Sequence, residues 1–267
     1  MPFTTETSIT IITVCRNSAR TIADTLDSVA DQSLRPLEHI FIDGASTDNT
    51  VRIVQDRAGD NVRIISEPDQ GMYHAMNKGI KLAQGEVVGI LNADDFYAHA
   101  DVLARVAEVF LDPVVDCCYG DLEYVDPHVP TRVIRCWRSR EYRIGLVYRG
   151  WYPAHPTFFA RRSLYESYGM FDLDFKLAAD VELMWRFLAR HNASSRYIPE
   201  VLVRMRAGGT SNARWSTVIL QNIWLYRALR KNHISHSRVF PIYKIPSRLR
   251  QFLSAWRLRK QLIFNGQ

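Results

Sequence analysis

The chain has 267 residues, 47% of them hydrophobic and 23% charged, with 13 Gly and 11 Pro; this is folded-domain usage and excludes a disordered, collagenous or fibrous chain. At roughly 150 residues per domain the length suits one generous α/β domain with an appendage, or two compact domains. The formal charge of +6 is unevenly divided, because residues 213–267 hold 11 basic and no acidic residues and leave 23 basic and 28 acidic ones, a net of −5, in residues 1–212.

In chain order, residues 8–15 form a β-branched run too short for a helix and apolar on both faces, which predicts a buried parallel strand. Ile22, Leu26 and Val29 then recur at helical spacing. The pattern repeats: a strand over 37–42, a helix capped by Asp48 and carrying Val51 and Val54, a strand over 62–65, a helix over 71–83 and a strand over 87–91. Such alternation predicts a parallel, right-handed α/β sheet, whose ligands sit outside the carboxyl ends of the strands.

Those ends are polar. The first closes in Cys15-Arg16-Asn17, the second in Asp43-Gly44-Ala45-Ser46-Thr47-Asp48, the third in Glu67-Pro68-Asp69-Gln70-Gly71 and the fourth in Asn92-Ala93-Asp94-Asp95. Turn and cap chemistry favours the same residue types, which would explain one such loop. Four in succession, the last with paired carboxylates, point to a ligand site. There is no G-x-x-x-x-G-K-[ST] and no G-x-G-x-x-G after the first strand, which excludes a P-loop and a dinucleotide turn. Carboxylates beside a phosphorylated ligand need a cation between them, and hard oxygen ligands suit Mg²⁺ or Mn²⁺. Asp94 and Asp95 therefore read as a metal bridge to a diphosphate.

The segments ITVCRN (12–17), Ser28 with Gln32, FIDGASTDNT (41–50), EPDQGMYHAMNKGIKLAQGEVVGILNADD (67–95), HPTFF (155–159), FKLAADVELMWR (175–186) and GGTS (208–211) together resemble the inverting family 2 glycosyltransferases of GT-A fold, of the type that builds bacterial exopolysaccharide and cell-surface glycans. The likeness spans about the first four fifths of the chain. It implies a GT-A domain over 1–212, a mostly parallel central sheet flanked by helices, followed by a basic helical extension over 213–267. Asp43 resembles the aspartate that accepts from the uracil of a UDP-sugar, with Thr13, Cys15 and Asn17 lining the same pocket. Asp69 and Gly71 open a helix whose start, with Asn77, is implied to face nucleotide and sugar. Asp94 resembles the metal ligand of the family's D-x-D, with Asp95 beside it on ribose, metal or sugar. The first acid of that motif is Asn92 here, one carboxylate fewer than the usual pattern. Arg206 stands where many relatives carry a histidine near the diphosphate, and would offer charge to the leaving phosphate. Asp180 resembles the base that takes the proton from the attacking hydroxyl, and His155 and Glu182 are expected on the acceptor side. Each acid at 180 and 182 also suits a helix start on dipole grounds alone.

Between 125 and 150 the alternation is lost, and Arg132, Arg135, Arg138, Arg140, Arg143 and Arg149 face two acids, Asp126 and Glu141. They suit an anionic acceptor, such as a lipid diphosphate or a uronic acid, as well as a solvated face. Two helical stretches are predicted at 214–231 and 248–264. The second sets Leu249, Phe252, Leu253, Trp256 and Ile263 against Arg248, Arg250, Arg257, Arg259 and Lys260, which suits an anionic membrane surface first and docking on the acidic body or on a second subunit next. Cys15, Cys117, Cys118 and Cys136 lack C-x-x-C spacing and the first residues carry no basic-then-apolar leader, so a cytoplasmic setting is expected, with surface attachment to the inner face of the plasma membrane.

The expected activity is transfer of a sugar from a nucleotide-sugar, in first place a UDP-sugar, with Mn²⁺ or Mg²⁺, to a glycan or lipid-linked acceptor. No nucleic-acid partner is expected, and a homo-oligomer stays open. A sugar nucleotidyltransferase is the rival within enzymes, although Val14-Cys15-Arg16-Asn17-Ser18-Ala19 lacks the glycine of a phosphate loop. A non-catalytic binder of nucleic acid or anionic surfaces is the rival outside them, supported by the basic tail alone.

Overall fold

The computed structural model describes residues 7–208 and 215–234. Strands β1 (Ile9–Cys15), β2 (Glu38–Asp43), β3 (Val62–Ser66) and β4 (Val87–Ile90) alternate with helices α1 (Ile22–Ala30), α2 (Thr50–Arg57) and α3 (Met72–Leu82). The second half contributes β5 (Asp95–Tyr97), α4 (Val102–Phe110), β6 (Cys117–Val125), β7 (Val133–Trp137), β8 (Phe159–Arg161), α5 (Arg162–Tyr168), α6 (Ala179–Trp185), β9 (Ser195–Arg206) and α7 (Trp215–Lys231). The sheet runs β3-β2-β1-β4-β8-β6-β9-β5, with β7 paired to β6.

The first four strands are all parallel, as alternating β and α elements require. Beyond β4 the sheet is mixed: β8 enters antiparallel between β4 and β6, and β9 runs parallel to β6. The loss of alternation after residue 125 has its cause here, since β6 and β7 form an antiparallel pair with a register shift at Tyr124/Val125.

β1 is buried along its whole length, so its two faces feed two apolar layers. Ile12 and Val14 pack with α3, α5, α6 and α7, while Ile9 and Ile11 pack with α1 and α4. Contact is close: a Cβ at Gly79 of α3 would lie 2.4 Å from Cγ2 of Ile12, so only glycine lets this helix approach the strand. Asp48 acts as the expected cap, its Oδ1 accepting from the Thr50 backbone N–H at 3.0 Å and its Oδ2 from that of Ala19 at 3.1 Å.

The 214–231 stretch corresponds to α7, and this helix is docked on the body. Leu225, Ala228 and Leu229 are buried in the main core, and Trp224 packs on Phe175 at 5.5 Å. The body's packing therefore reaches past the expected boundary at 212/213. The 248–264 stretch lies outside the described residues. Among the described residues no helix is long and apolar enough to cross a membrane.

A buried ion pair at α6 is tied by a hydrogen bond to Asn232, the residue that follows α7. Glu182 is 0% exposed; its Oε2 accepts from Arg186 Nη2 at 2.7 Å, and its Oε1 from Arg186 Nε at 3.2 Å and Asn232 Nδ2 at 3.1 Å. Arg186 also donates to the carbonyls of Tyr168, Gly169 and Met170. Glu182, expected on the acceptor side, thus has both oxygens spent in the interior; its correct place is the packing of α6. Removing one partner leaves the other charge buried and uncompensated, so Glu182→Ala should lower the unfolding free energy by about 3–5 kcal/mol. Urea unfolding of the variant beside the wild type measures this.

Candidate active site

The parallel register places Cys15 opposite Asp43 and Asp43 opposite Ser66. Asp43 is 0% exposed, and four protein donors occupy it: the Cys15 thiol at 3.6 Å and the Ser46 hydroxyl on Oδ1, the Ser46 backbone N–H at 2.9 Å and the Ser66 hydroxyl at 2.7 Å on Oδ2. A base would have to displace the Ser46 hydroxyl to reach this carboxylate. Burial, and then the charge of Asp43, push the Cys15 thiol far above its ordinary pKa, which keeps it protonated and donating.

Asn17 takes a left-handed conformation (φ 53°), and its Oδ1 accepts from the Thr47 backbone N–H at 2.8 Å, clasping the 44–48 loop to the end of β1. Thr13 does not line an open pocket. It is wholly buried, with its hydroxyl 2.9 Å from Nε2 of His39.

Gly71, at φ 121°, turns the chain from β3 into α3. Just before it, Asp69 has a side chain only 6% exposed; Oδ1 accepts from Lys78 Nζ at 2.7 Å and faces His74 Nδ1 at 2.9 Å. Oδ2 is buried without a partner and lies beside Gly44 and Arg16. An orphaned buried acceptor costs free energy until a donor arrives, which marks this oxygen as open to a ligand. Asn77 has a different duty from the expected one. Its Nδ2 donates to the Phe171 carbonyl at 2.8 Å and its Oδ1 accepts from the Phe171 N–H at 2.9 Å, so the amide is consumed in holding the loop before α6.

At the end of β4, Asn92 Nδ2 donates to Asp95 Oδ2 at 3.1 Å, while Asn92 Oδ1 and Asp95 Oδ1 are both buried without partners. Burial first, and the neighbouring Asp94 charge second, raise the Asp95 pKa well above the ordinary carboxylate value. Asp94 is partly exposed. Arg206 is committed elsewhere: it pairs with Asp24, donates to the Asp94 carbonyl at 2.8 Å and stacks over Phe96 at 5.0 Å. It braces the turn that carries the acids and is not poised to meet a phosphate.

Two orphaned carboxyl and amide oxygens beside a partly exposed carboxylate are hard ligands of the type that Mn²⁺ or Mg²⁺ takes. Among the described residues no cluster of three or more His, Cys, Asp or Glu forms a closed cage, so an ion here would draw further oxygens from a bound ligand or water. The residues fit such a shared ion.

A second constellation stands on α6. Ala178, at φ 64°, ends the incoming loop and α6 begins at Ala179, leaving Asp180 in the first turn and partly exposed. Its Oδ1 accepts from the Tyr73 hydroxyl at 3.0 Å. Burial, reinforced by Asp180, raises the Tyr73 pKa far above its ordinary value, so the phenol is a fixed donor. His155 sits edge-on to Phe171 at 5.7 Å; burial lowers its pKa and the nearby Asp180 charge opposes that shift, leaving a neutral imidazole at pH 7. Tyr73 was not foreseen in the sequence. The available signal was its spacing of four from Asn77 on α3, which puts both on the face toward the 171–180 loop.

Comparison with known proteins shows the family and the fold. The family model "Glycosyl transferase family 2" matches residues 10–169, and the chain belongs to that family. It is 32% identical over 214 residues to a PGL/p-HBAD biosynthesis glycosyltransferase of Mycobacterium bovis, covering 76% of this chain and 78% of the relative. In structure it is similar to the mannosyltransferase PcManGT of Pyrobaculum calidifontis in complex with GDP-Man and Mn²⁺, with TM-score 0.63, 21% identity and coverage of 99% of this chain and 77% of the other. It is likewise similar to S. aureus TarS in complex with UDP, with TM-score 0.60, 16% identity and coverage of 97% and 92%. The fold is therefore GT-A, and the activity class is sugar transfer, which sets aside the nucleotidyltransferase and the non-catalytic binder.

The buried Thr13–His39 pair supplies a pH test. Burial holds His39 at about 3, against an ordinary 6.5. The unfolded chain therefore binds the proton first, and the stability due to the neutral ring is complete above pH ~6.5 and is lost as pH falls toward ~3, at about 1.4 kcal/mol per pH unit. Between pH 7 and pH 5 the wild type should lose about 2 kcal/mol more than His39→Gln, as read by urea unfolding at the two pH values.

Proposed function

We propose that this glycosyltransferase is inverting and uses a divalent ion, moving one sugar from a UDP-sugar to a hydroxyl of a glycan or lipid-linked acceptor in surface polysaccharide synthesis. The observation that carries the reading is on α3. Adjacent residues reach the two halves of the site, His74 to Asp69 on the nucleotide side and Tyr73 to Asp180 on the acceptor side. A single rigid helix therefore fixes the separation between a donor and an incoming hydroxyl.

In this reading Asp69 Oδ2 accepts from the nucleotide, while Asp43, Cys15 and Asn17 hold the loop that shapes its pocket and Gly71 lets α3 begin beside it. Asn92, Asp94 and Asp95 would hold the divalent ion, whose chemistry is to neutralise charge on the leaving diphosphate. Asp180 removes the proton from the acceptor hydroxyl through Oδ2, because Tyr73 occupies Oδ1 and orients the carboxylate. The new bond from that oxygen to the anomeric carbon forms as the bond to the diphosphate oxygen breaks on the opposite face, which inverts the configuration. His155, neutral beside Asp180, adds no competing charge. UDP is the nucleotide in one solved relative and GDP-Man in another, so the choice of UDP rests on the sequence likeness.

Two variants separate binding from rate. Asp94→Asn should weaken UDP binding in Mn²⁺ and differ little from wild type in EDTA. Asp180→Asn should keep UDP affinity yet lose ~10²- to 10⁴-fold in turnover, the usual contribution of a positioned base. Near wild-type transfer by Asp180→Asn would refute the base assignment, and calorimetry with a sugar-transfer assay reads both.

The basic residues of the 213–267 extension are proposed to rest on an anionic membrane at its cytoplasmic face. Changing Arg257, Arg259 and Lys260 to Glu should release the full chain from phosphatidylglycerol vesicles in a sedimentation assay, each basic contact being worth about 1 kcal/mol. Equal sedimentation of the variant would overturn the membrane role.

A further inference from the structure

A cleft of about 410 Å³ is formed in the segment that follows β7, lined by Arg140, Glu141, Arg143, Gly145, Leu146 and Arg149. That volume falls within the range of small-ligand sites. The three arginines are exposed, and among the described residues none of their guanidinium groups is ion-paired. The lining thus carries three positive charges against one negative, an excess of two. Interleaved with the lining residues in the chain are two exposed apolar side chains, Ile144 at 60% and Tyr148 at 37%, both in the short helical segment Ile144–Arg149.

We propose that this cleft binds the diphosphate of a lipid-linked acceptor, with the first part of the hydrocarbon chain against Ile144 and Tyr148. The proposal rests on the transferase reading and adds the acceptor's chemical class to it. Planar guanidinium forks match phosphate oxygens in paired hydrogen bonds. An excess charge of two matches a diphosphate better than the single carboxylate of a uronic acid. Uronic acids also have nothing to place against these apolar side chains.

The cleft is tied to the acceptor side by a rigid aromatic floor. Tyr142 stacks on Trp151 at 6.0 Å, Tyr119 meets Trp151 edge-on at 5.7 Å, and the Tyr119 hydroxyl donates to the Arg140 carbonyl at 3.0 Å. The Trp185 indole N–H donates to the Trp151 carbonyl at 2.9 Å. Trp185 is on α6, five residues after Asp180, which is roughly 7.5 Å along a helix axis. Four residues beyond Trp151 the same segment reaches His155, whose ring feels the charge of Asp180. An anchored diphosphate would hold its acceptor on the segment that runs from the cleft through Trp151 to His155.

The test uses the full chain saturated with UDP, so that the nucleotide site is filled, and titrates geranyl diphosphate by calorimetry. Wild type should bind it, and Arg143→Gln/Arg149→Gln should weaken binding roughly tenfold or more, the scale of losing charge-assisted hydrogen bonds. Geraniol and glucuronate should bind far more weakly, and the thermal shift produced by UDP should persist in the variant. Should the double variant fail to fold, Arg140→Gln is read in the same way. Unchanged binding by the variants would overturn the proposal, as would glucuronate binding as tightly as the diphosphate. So would one-for-one displacement of UDP, which would place the diphosphate in the nucleotide site. A wild type that binds geranyl diphosphate but no UDP would overturn the transferase reading instead, and with it the acceptor role of the cleft.

Discussion

Parallel pairing of β1 with β2 on one side and β4 on the other is the constraint from which the site follows. Parallel strands all finish at one edge, and the loops that leave them must share it. In this chain the shared edge gathers the carboxyl groups of Asp43, Asp69, Asp94 and Asp95, a concentration of negative charge that costs stability unless each group is satisfied or awaits a partner. Asp43 is satisfied completely by four donors, and it serves as the knot between β1, β2 and β3. Asp69, Asn92 and Asp95 each keep one buried oxygen unpaired. The fold thus commits Asp43 to structure and leaves one unpaired oxygen on each of Asp69 and Asp95 at the same edge.

Helix α3 converts that edge into a two-sided site. Gly79 allows it to lie directly on Ile12, so its position follows that of β1. Its first turn meets Asp69 and Asp180, and one turn further Asn77 clamps the backbone of Phe171. The loop that delivers Asp180 is therefore pinned to the same helix that Asp180 touches. Behind it the buried Glu182–Arg186 pair and Asn232 lock α6 to α7. Position of the candidate base is set from both ends of a seven-residue helix, which its own short ladder of hydrogen bonds could not hold.

The sequence by itself determined the first four strands, the three helices between them and the convergence of acids at their ends, because each rests on a short β-branched apolar run, on apolar residues at helical spacing or on the polar residues that close those runs. It also determined the family, through motifs spread along most of the chain. Only the tertiary structure decided what the remaining polar groups do. Whether Asn77 meets a sugar or a backbone, whether Glu182 faces an acceptor or is closed off by Asn232, and whether Thr13 opens to a pocket or to His39 depend on partners 94, 50 and 26 residues away that no local pattern encodes. The same holds for α7, which the sequence shows only as a helical stretch until Leu225 and Leu229 are seen buried in the main core. Apolar spacing states that a helix has something to cover; the identity of the cover is a long-range contact, and it is there that the chain's own geometry has the last word.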